Sequence, residues 1–342
     1  MVGTNAAAVK DLRIGIKSNP PAGTLRDVHT LPSEECGVDC RVDAIQMSGV
    51  TKNFGELRAV NDLSLAVPRG CLYGFIGPNG SGKTTTLRMI MSILRPDAGD
   101  IEVLGERNPP AAKDRVGYLP EERGLYKKMK VRRLLRYYGQ LKNANGELES
   151  RIDEWLAKMD LTDWENKPVE TLSKGMAQKV QFISTVIAAP DLVILDEPFS
   201  GLDPVNMEVL REAVLGLRER GATVIFSTHD MAIAERMCDR IFMIYRGRKV
   251  LDGSLEEIQS EYGQDTVRVR IGAGAKTLKG MPGVESVRDH GQVQEVRLRG
   301  DAQEFLRALM NKTAVHHFEQ TRPSLHDIFV RIARPTDDKT ES

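Results

Sequence analysis

Two places along the chain carry residue types and spacings suited to chemistry on phosphate. The first is Gly77-Pro78-Asn79-Gly80-Ser81-Gly82-Lys83-Thr84, which has the Gly-x4-Gly-Lys-Thr spacing of a P-loop. Its glycines let the backbone turn so that successive N–H groups face one point, and a helix starting there adds its partial positive charge. Lys83 is then placed to reach the β- and γ-phosphates of a nucleoside triphosphate, and the Thr84 hydroxyl to ligate Mg²⁺. A glycine-rich turn with an accidental lysine is the bland alternative. The second place is Asp196-Glu197, directly after the aliphatic run Leu192-Val193-Ile194-Leu195. One carboxylate there can hold Mg²⁺, usually through water, and the next can orient and deprotonate an attacking water. Alone, such a pair reads better as a solvated turn. With the P-loop upstream and His229 downstream, the hydrolytic reading wins.

These groups need elements to hold them. The apolar run Cys71–Ile76 is short enough for a buried strand and ends on the glycine loop, and Thr84–Leu94 follows with helical character before Pro96. Leu192–Leu195 is a second buried strand, ending on the two acids. Thr223–Phe226 is a third, ending on Ser227-Thr228-His229. Strands whose C-terminal ends all carry reactive residues describe an open α/β sheet with its site at that edge. Asp43–Met47 and Leu63–Val67 alternate as half-buried strands do. Residues 124–190 are helix-rich, with apolar spacing in Val131-Leu134-Leu135-Tyr138 and Ile152-Trp155-Leu156-Met159. After Gly253 short strands are predicted at Thr266–Ile271, Val284–Val287 and Gln294–Leu298. A helix is predicted over Asp301–Lys312 with Asp301 as N-cap, and another is capped by Ser324 and runs through Ile332. The expected class is therefore α/β with a small C-terminal α+β domain. Residues 1–42 lack a sustained period and carry breakers, so they read as a disordered extension or a start codon placed too early.

Bulk properties narrow the partners. The 342 residues are 41% hydrophobic and 28% charged, and 48 basic residues balance 48 acidic ones. That balance offers no global reason to expect nucleic acid. No apolar run approaches the roughly 20 residues needed to cross a bilayer, so a soluble protein is expected, with any membrane role reached through another polypeptide. Four cysteines do not make a disulfide framework. Cys36 and Cys40 are at most half a metal site, Cys71 and Cys238 read as core residues, and a reducing cytoplasm fits.

The ordered set of motifs resembles the ATP-binding-cassette (ABC) ATPases over about residues 43–255. Leu172-Ser173-Lys174-Gly175 looks like their signature motif. Asp196-Glu197-Pro198 and Gly201-Leu202-Asp203 resemble their Walker B and D-loop. His229 matches the switch histidine, and Phe54 the aromatic that stacks on adenine. More narrowly, Gly117–Tyr126 and the tail Pro323–Phe329 look like the sodium-extrusion (NatA-like) branch of exporter subunits.

The resemblance implies a P-loop NTPase cassette at 43–262 with a mixed sheet and a helical subdomain at about 124–190. A small α+β domain at 263–335 and a tail at 336–342 would follow. It implies ATP and Mg²⁺ as ligands, with Glu197, His229 and Lys83 catalytic and Thr84, Asp196 and Glu121 on the metal. Phe54, Gly77, Pro78, Asn79, Gly80, Ser81, Gly82, Lys83, Thr84 and Thr85 would bind the nucleotide, with Ser173 and Gly175 closing on ATP held by a second cassette. The implied assembly is a homodimer or paired cassette, peripheral on the inner face of the cell membrane through a separate integral permease, without nucleic acid. Two departures stand out. Lys174 and Met176 replace the glycine and glutamine of most signatures, and Glu121 stands where most cassettes have a Mg²⁺-contacting glutamine. Both resemble the sodium-extrusion branch.

A cytosolic cassette acting on ribosomes or DNA resembles two cassettes joined by a basic linker, or carries long coiled coils; this chain has one cassette and no heptads. A P-loop kinase has no use for the signature motif. Lys127–Arg133 reads as a solvated helix start, with an anionic-lipid or partner contact as the sharper alternative. His316-His317 point to opposite faces of a strand, so a metal pair is not expected there. Trp155 and Trp164 read as core.

Overall fold

A computed structural model describes residues 43–333 apart from 108, 123, 143, 145, 264 and 273. The expectations for residues 1–42, including Cys36 and Cys40, and for the tail lie outside the described residues. In chain order the first elements are β1 (Ile45–Phe54), β2 (Leu57–Val67), β3 (Leu72–Ile76), α1 (Lys83–Ile90), β4 (Ala98–Val103) and β5 (Val116–Leu119). The helices α2 (Val131–Leu141), α3 (Leu148–Lys158) and α4 (Lys174–Val186) follow. Next come β6 (Leu192–Asp196), α5 (Pro204–Glu219), β7 (Thr223–Thr228), α6 (Met231–Met237), β8 (Arg240–Tyr245), β9 (Arg248–Gly253) and α7 (Leu255–Glu261). The last are β10 (Thr266–Ile271), β11 (Val284–Asp289), β12 (Gln294–Leu298), α8 (Ala302–Met310), β13 (Val315–Thr321) and α9 (Leu325–Ala333).

Three sheets result. The central one has the order β5-β6-β7-β3-β8-β9, parallel except for the antiparallel edge strand β9. Its inner strands β3, β6 and β7 are buried on both faces, as their largely apolar runs require. Successive side chains divide between two cores. Val193, Leu195, Val224 and Phe226 face the helical side with Leu134, Trp155 and Phe182. Leu192, Ile194 and Ile225 face the other side with Phe75, Leu87 and Phe242. A second, antiparallel sheet of order β2-β1-β4 closes that other core. This is the mixed-sheet α/β P-loop fold with a helical region. Trp155 is buried against Phe182 with ring centroids 5.8 Å apart, whereas Trp164 is only half-buried in a one-turn 3₁₀ helix.

Helix α1 is shorter than its pattern suggested. Ser92 takes φ +54 and donates to Met89 O, and Ile93 donates to Arg88 O at 2.9 Å. These two bonds form a Schellman ending that closes the helix at Ile90, well before Pro96.

The third sheet, β11-β12-β10-β13, is antiparallel and carries α8 on one face, where Phe305 and Leu309 meet Val267, Val269 and Val296. Asp301 caps α8 through Gln303 N at 3.1 Å, and Ser324 caps α9 through Asp327 N at 3.2 Å. Helix α9 leaves this small core. Its buried Leu325 and Ile328 pack instead with Ile76, Met231, Met243 and Ile258 of the nucleotide-binding fold. No described helix is long and apolar enough to cross a membrane.

Candidate active site

The cradle is shaped by backbone that only glycine can adopt. Gly77, just past the end of β3, has φ +155, and a Cβ there would lie 2.3 Å from Ile244 O. Gly82, at φ +110, would place one 2.6 Å from Ala59 O. Neither obstacle is a flexible side chain, so the loop closes only without side chains at these positions. Gly82 is the N-cap of α1, whose first N–H groups have no partner within the helix. Lys83 opens the helix and folds back over the loop, donating to Gly77 O at 2.8 Å and Pro78 O at 3.3 Å. Its ammonium lies 3.7 Å from Glu197 Oε1. Burial pushes the Lys83 pKa down, opposed mainly by the charges of Glu197 and Asp196.

The two acids meet this loop from the next strands. Asp196 ends β6 and is fully enclosed; its Oδ1 accepts from Ser227 Oγ at 2.5 Å and from Thr84 Oγ1 at 3.3 Å. Its Oδ2 is buried and has no hydrogen-bond partner. A buried carboxylate oxygen without a partner, beside a threonine hydroxyl, fits a hard divalent cation. Glu197 follows at φ +50, a left-handed backbone that costs a non-glycine residue about 1–3 kcal/mol. Its N–H is held by Ser227 Oγ at 3.0 Å. His229 Nδ1 lies 3.0 Å from both carboxylate oxygens of Glu197. The carboxylate is 9% exposed and the imidazole 54%, so the histidine stands at the outer side of a nearly enclosed acid. Ser227 joins the two acids, and the sequence reading assigned it no role.

A cavity of about 630 Å³ runs from Phe54 across Asn79, Gly80, Lys83, Thr84 and Thr85 to Glu197. That volume suits a small-molecule ligand. Phe54 in its lining is 48% exposed, with the Lys52 ammonium 5.7 Å from its ring centre. Glu121 lines this cavity and also a neighbouring one of about 360 Å³, which Lys174, Gln178 and Gln181 border. Ser81 is buried, and its Oγ has no hydrogen-bond partner. The structure thus gathers residues from the ends of β1, β3, β5 and β6 around one opening, and His229 after β7 reaches it through Glu197.

The family description "ABC transporter" matches residues 60–200. The ABC transporter ATP-binding protein YhaQ of Bacillus subtilis is 41% identical over 284 residues, covering 82% of this chain and 95% of YhaQ. The chain belongs to the ABC transporter ATP-binding family. A solved ATP-binding subunit of an ABC transporter superimposes with TM-score 0.61 at 30% identity, covering 64% of this chain and 93% of that one. Residues 253–333 match the C-terminal domain of DrrA1-3-like ATP-binding proteins. The Nod factor export ATP-binding protein I of Burkholderia lata is 35% identical, over 85% of this chain and 97% of its own. The ABC transporter ATP-binding protein NatA of Bacillus subtilis is 38% identical, over 61% of this chain and 87% of its own. The sodium-extrusion branch is thus one of several similar groups.

Within this cassette, Ser173 and Gly175 border neither cavity. Ser173 Oγ caps α4 by accepting from Met176 N at 3.2 Å. A Cβ on Gly175 would lie 3.0 Å from Asn206 Nδ2. Arg58, Arg246 and Gly247 line the nucleotide-sized cavity and carried no motif. Only the turn character of Arg246-Gly247 between two strands was there to be read.

Proposed function

We propose that this chain is the ATP-hydrolysing subunit of an ABC exporter, working as a pair of cassettes beneath a separate integral membrane permease. The observation that carries the reading is Glu197: a strained, nearly enclosed carboxylate 3.0 Å from His229 and 3.7 Å from Lys83, at the end of the cavity that begins at Phe54.

ATP is the substrate. Its adenine lies on Phe54 and its phosphates in the turns from Gly77 to Thr85. Lys83 exchanges the carbonyls of Gly77 and Pro78 for the β- and γ-phosphates, a stronger charge-assisted contact. Glu197 then orients a water and accepts its proton. The water oxygen bonds to the γ-phosphorus, the bridging P–O bond breaks, and ADP leaves with that electron pair. His229 fixes the Glu197 carboxylate, and Ser227 fixes the backbone beneath it. Thr84, Asp196 and Glu121 would hold Mg²⁺, which when bound neutralises phosphate charge.

Ser173 and Gly175, which line neither of this chain's own cavities, support closure of one cassette's signature loop on the ATP of another. The Nod factor relative supports export. Na⁺ is the cargo favoured by the Gly117–Tyr126 and Pro323–Phe329 motifs. The subunit sits on the inner membrane face through its permease, without nucleic acid.

Glu197→Gln is the test. It binds ATP and dimerises without turnover; turnover at the wild-type rate refutes hydrolysis by Glu197, and a monomer at saturating ATP refutes the dimer. Reconstitution with the membrane protein encoded next to it, in vesicles loaded with Na⁺ or an amphiphile, tests export and cargo.

A further inference from the structure

The turn between β8 and β9 reaches the phosphate loop from a part of the chain that no phosphate-binding motif covers. Gly247 donates its N–H to Ser81 O at 2.9 Å and accepts from Asn61 N at 2.9 Å. A Cβ on Gly247, at φ +73, would lie 2.8 Å from Ala59 O. The turn is therefore pinned between the cradle and β2, with no room to drift.

Arg246, the residue before it, lines the same cavity as Lys83, Thr84 and Thr85. It adopts φ +50, a left-handed conformation that glycine or asparagine would take at lower cost. Its guanidinium stands 5.1 Å from the centre of the Tyr245 ring. Among the described residues no carboxylate lies within ion-pair range of it. Most arginines on a turn range freely in solvent; this one has a fixed backbone and an aromatic seat. The cavity's own acids, Glu121 and Glu197, also line the neighbouring cavity.

The aromatic seat is itself held. Phe329 of α9 meets Tyr245 edge-on, with ring centroids 5.5 Å apart at 84°. Helix α9 is anchored by the buried side chains of Leu325 and Ile328, and Leu325 N donates to the Glu235 carboxylate of α6. An unbroken series of contacts thus leads from the C-terminal helix to the cavity: Phe329, Tyr245, Arg246.

We propose that Arg246 is a polyphosphate-binding residue of the nucleotide site, and that Phe329 positions it through Tyr245. The proposal rests on the ATP reading above. A nucleoside triphosphate brings several negative charges into a cavity whose cations are Lys83, Arg58 and Arg246. Arg246 supplies a charge-assisted hydrogen bond to the phosphate chain, the interaction for which a guanidinium is best shaped.

Isothermal titration of wild type, Arg246→Ala and Arg246→Lys with ADP and a non-hydrolysable ATP analogue tests it. Saturation-transfer NMR with adenosine serves as the phosphate-free control. Arg246→Ala raises the Kd for both nucleotides about tenfold, as loss of one charged hydrogen bond does, while adenosine binding stays within about twofold; Arg246→Lys recovers part of the loss. Phe329→Leu raises the Kd about threefold in wild type and adds nothing in the Arg246→Ala background, because the coupled pair is non-additive. Tyr245→Leu repeats that cycle should Phe329→Leu fail to fold. Unchanged nucleotide affinity in Arg246→Ala, or an equal loss for adenosine, overturns the phosphate contact. Additive effects in both backgrounds overturn the positioning role. Wild-type protein that binds no ATP overturns the nucleotide reading itself, which keeps the two failures distinct.

Discussion

Replacing Ser227 by alanine isolates the group that ties the two acids together. The hydroxyl is fully buried, donates to Asp196 Oδ1 at 2.5 Å and accepts from Glu197 N at 3.0 Å. A hydrogen bond to a charged group contributes about 1.5–3 kcal/mol and a neutral one about 1 kcal/mol, so the variant loses about 3 kcal/mol of stability. At about 2–4 °C per kcal/mol for a domain of this size, Tm falls by about 6–12 °C. The larger consequence is kinetic. Glu197 holds φ +50 against its own preference, and its N–H bond to Ser227 is one of the contacts that keep it there. Released, the carboxylate relaxes away from the water it must deprotonate. Loss of a positioned general base costs about 10²–10⁴ in rate, so kcat falls about a hundredfold. The Kd for ATP moves by less than about threefold, because Ser227 does not border the cavity. Phosphate release at saturating ATP, nucleotide titration and calorimetry read the three quantities separately. A kcat within about threefold of wild type, alongside the loss in Tm, would show that Ser227 only packs and would refute the positioning argument. A parallel loss of kcat and ATP affinity would refute it too, by showing that the cradle had collapsed.

Four further outcomes follow from the same geometry. His229→Ala removes the imidazole at 3.0 Å from Glu197 and lowers kcat about a hundredfold or more while ATP binding persists; wild-type turnover would sink this role. Gly77→Ala forces a Cβ to 2.3 Å from Ile244 O, costing about 1–3 kcal/mol and removing ATP binding, so normal affinity in that variant would contradict the cradle geometry. Ile328→Ala empties a fully buried site in the core shared with Ile76 and Met243, and lowers the unfolding free energy of the whole cassette by about 2–5 kcal/mol; an unmoved main transition would contradict the docking of α9. Burial pushes the Cys71 thiol up to about 12 and raises Cys238 further. The native Cys36→Ser/Cys40→Ser variant is therefore alkylated about a thousandfold more slowly at pH 8 than a free thiol, and rapid labelling would show that these side chains are open to solvent.

Much of the fold was legible because its signals are local. Buried parallel strands need continuous aliphatic residues, so Cys71–Ile76, Leu192–Leu195 and Thr223–Phe226 announced the central sheet. Helix ends were less legible. Nothing in the sequence around Ser92 favours a left-handed residue over continuation to Pro96, and the closing bonds to Met89 and Arg88 exist only once the chain has turned. The edge strands β4, β5, β9 and β13 were not singled out, since pairing with neighbours rather than pattern defines them, and neither was the inner strand β8. Helix α9 follows the small C-terminal sheet in sequence, yet its apolar face is buried by residues distant along the chain, from Ile76 to Ile258.

The site divides in the same way. Gly77 to Thr84 is contiguous, and a phosphate cradle built from successive backbone N–H groups is written directly in the spacing of its glycines. By itself the sequence determined that motif, the acids Asp196 and Glu197, and the family to which they belong. Only the tertiary structure decided how they work together. It put Ser227 between the two acids, turned Glu197 into a strained backbone under His229, and left Ser173 and Gly175 out of the lining of both cavities. It also brought Arg246, on the aromatic seat of Tyr245 and Phe329, to the cavity wall. The physical reason is range. Backbone turns and strand burial are set by neighbours in the chain, whereas a hydroxyl bridging two carboxylates depends on strands brought together by pairing, and no local pattern encodes that meeting.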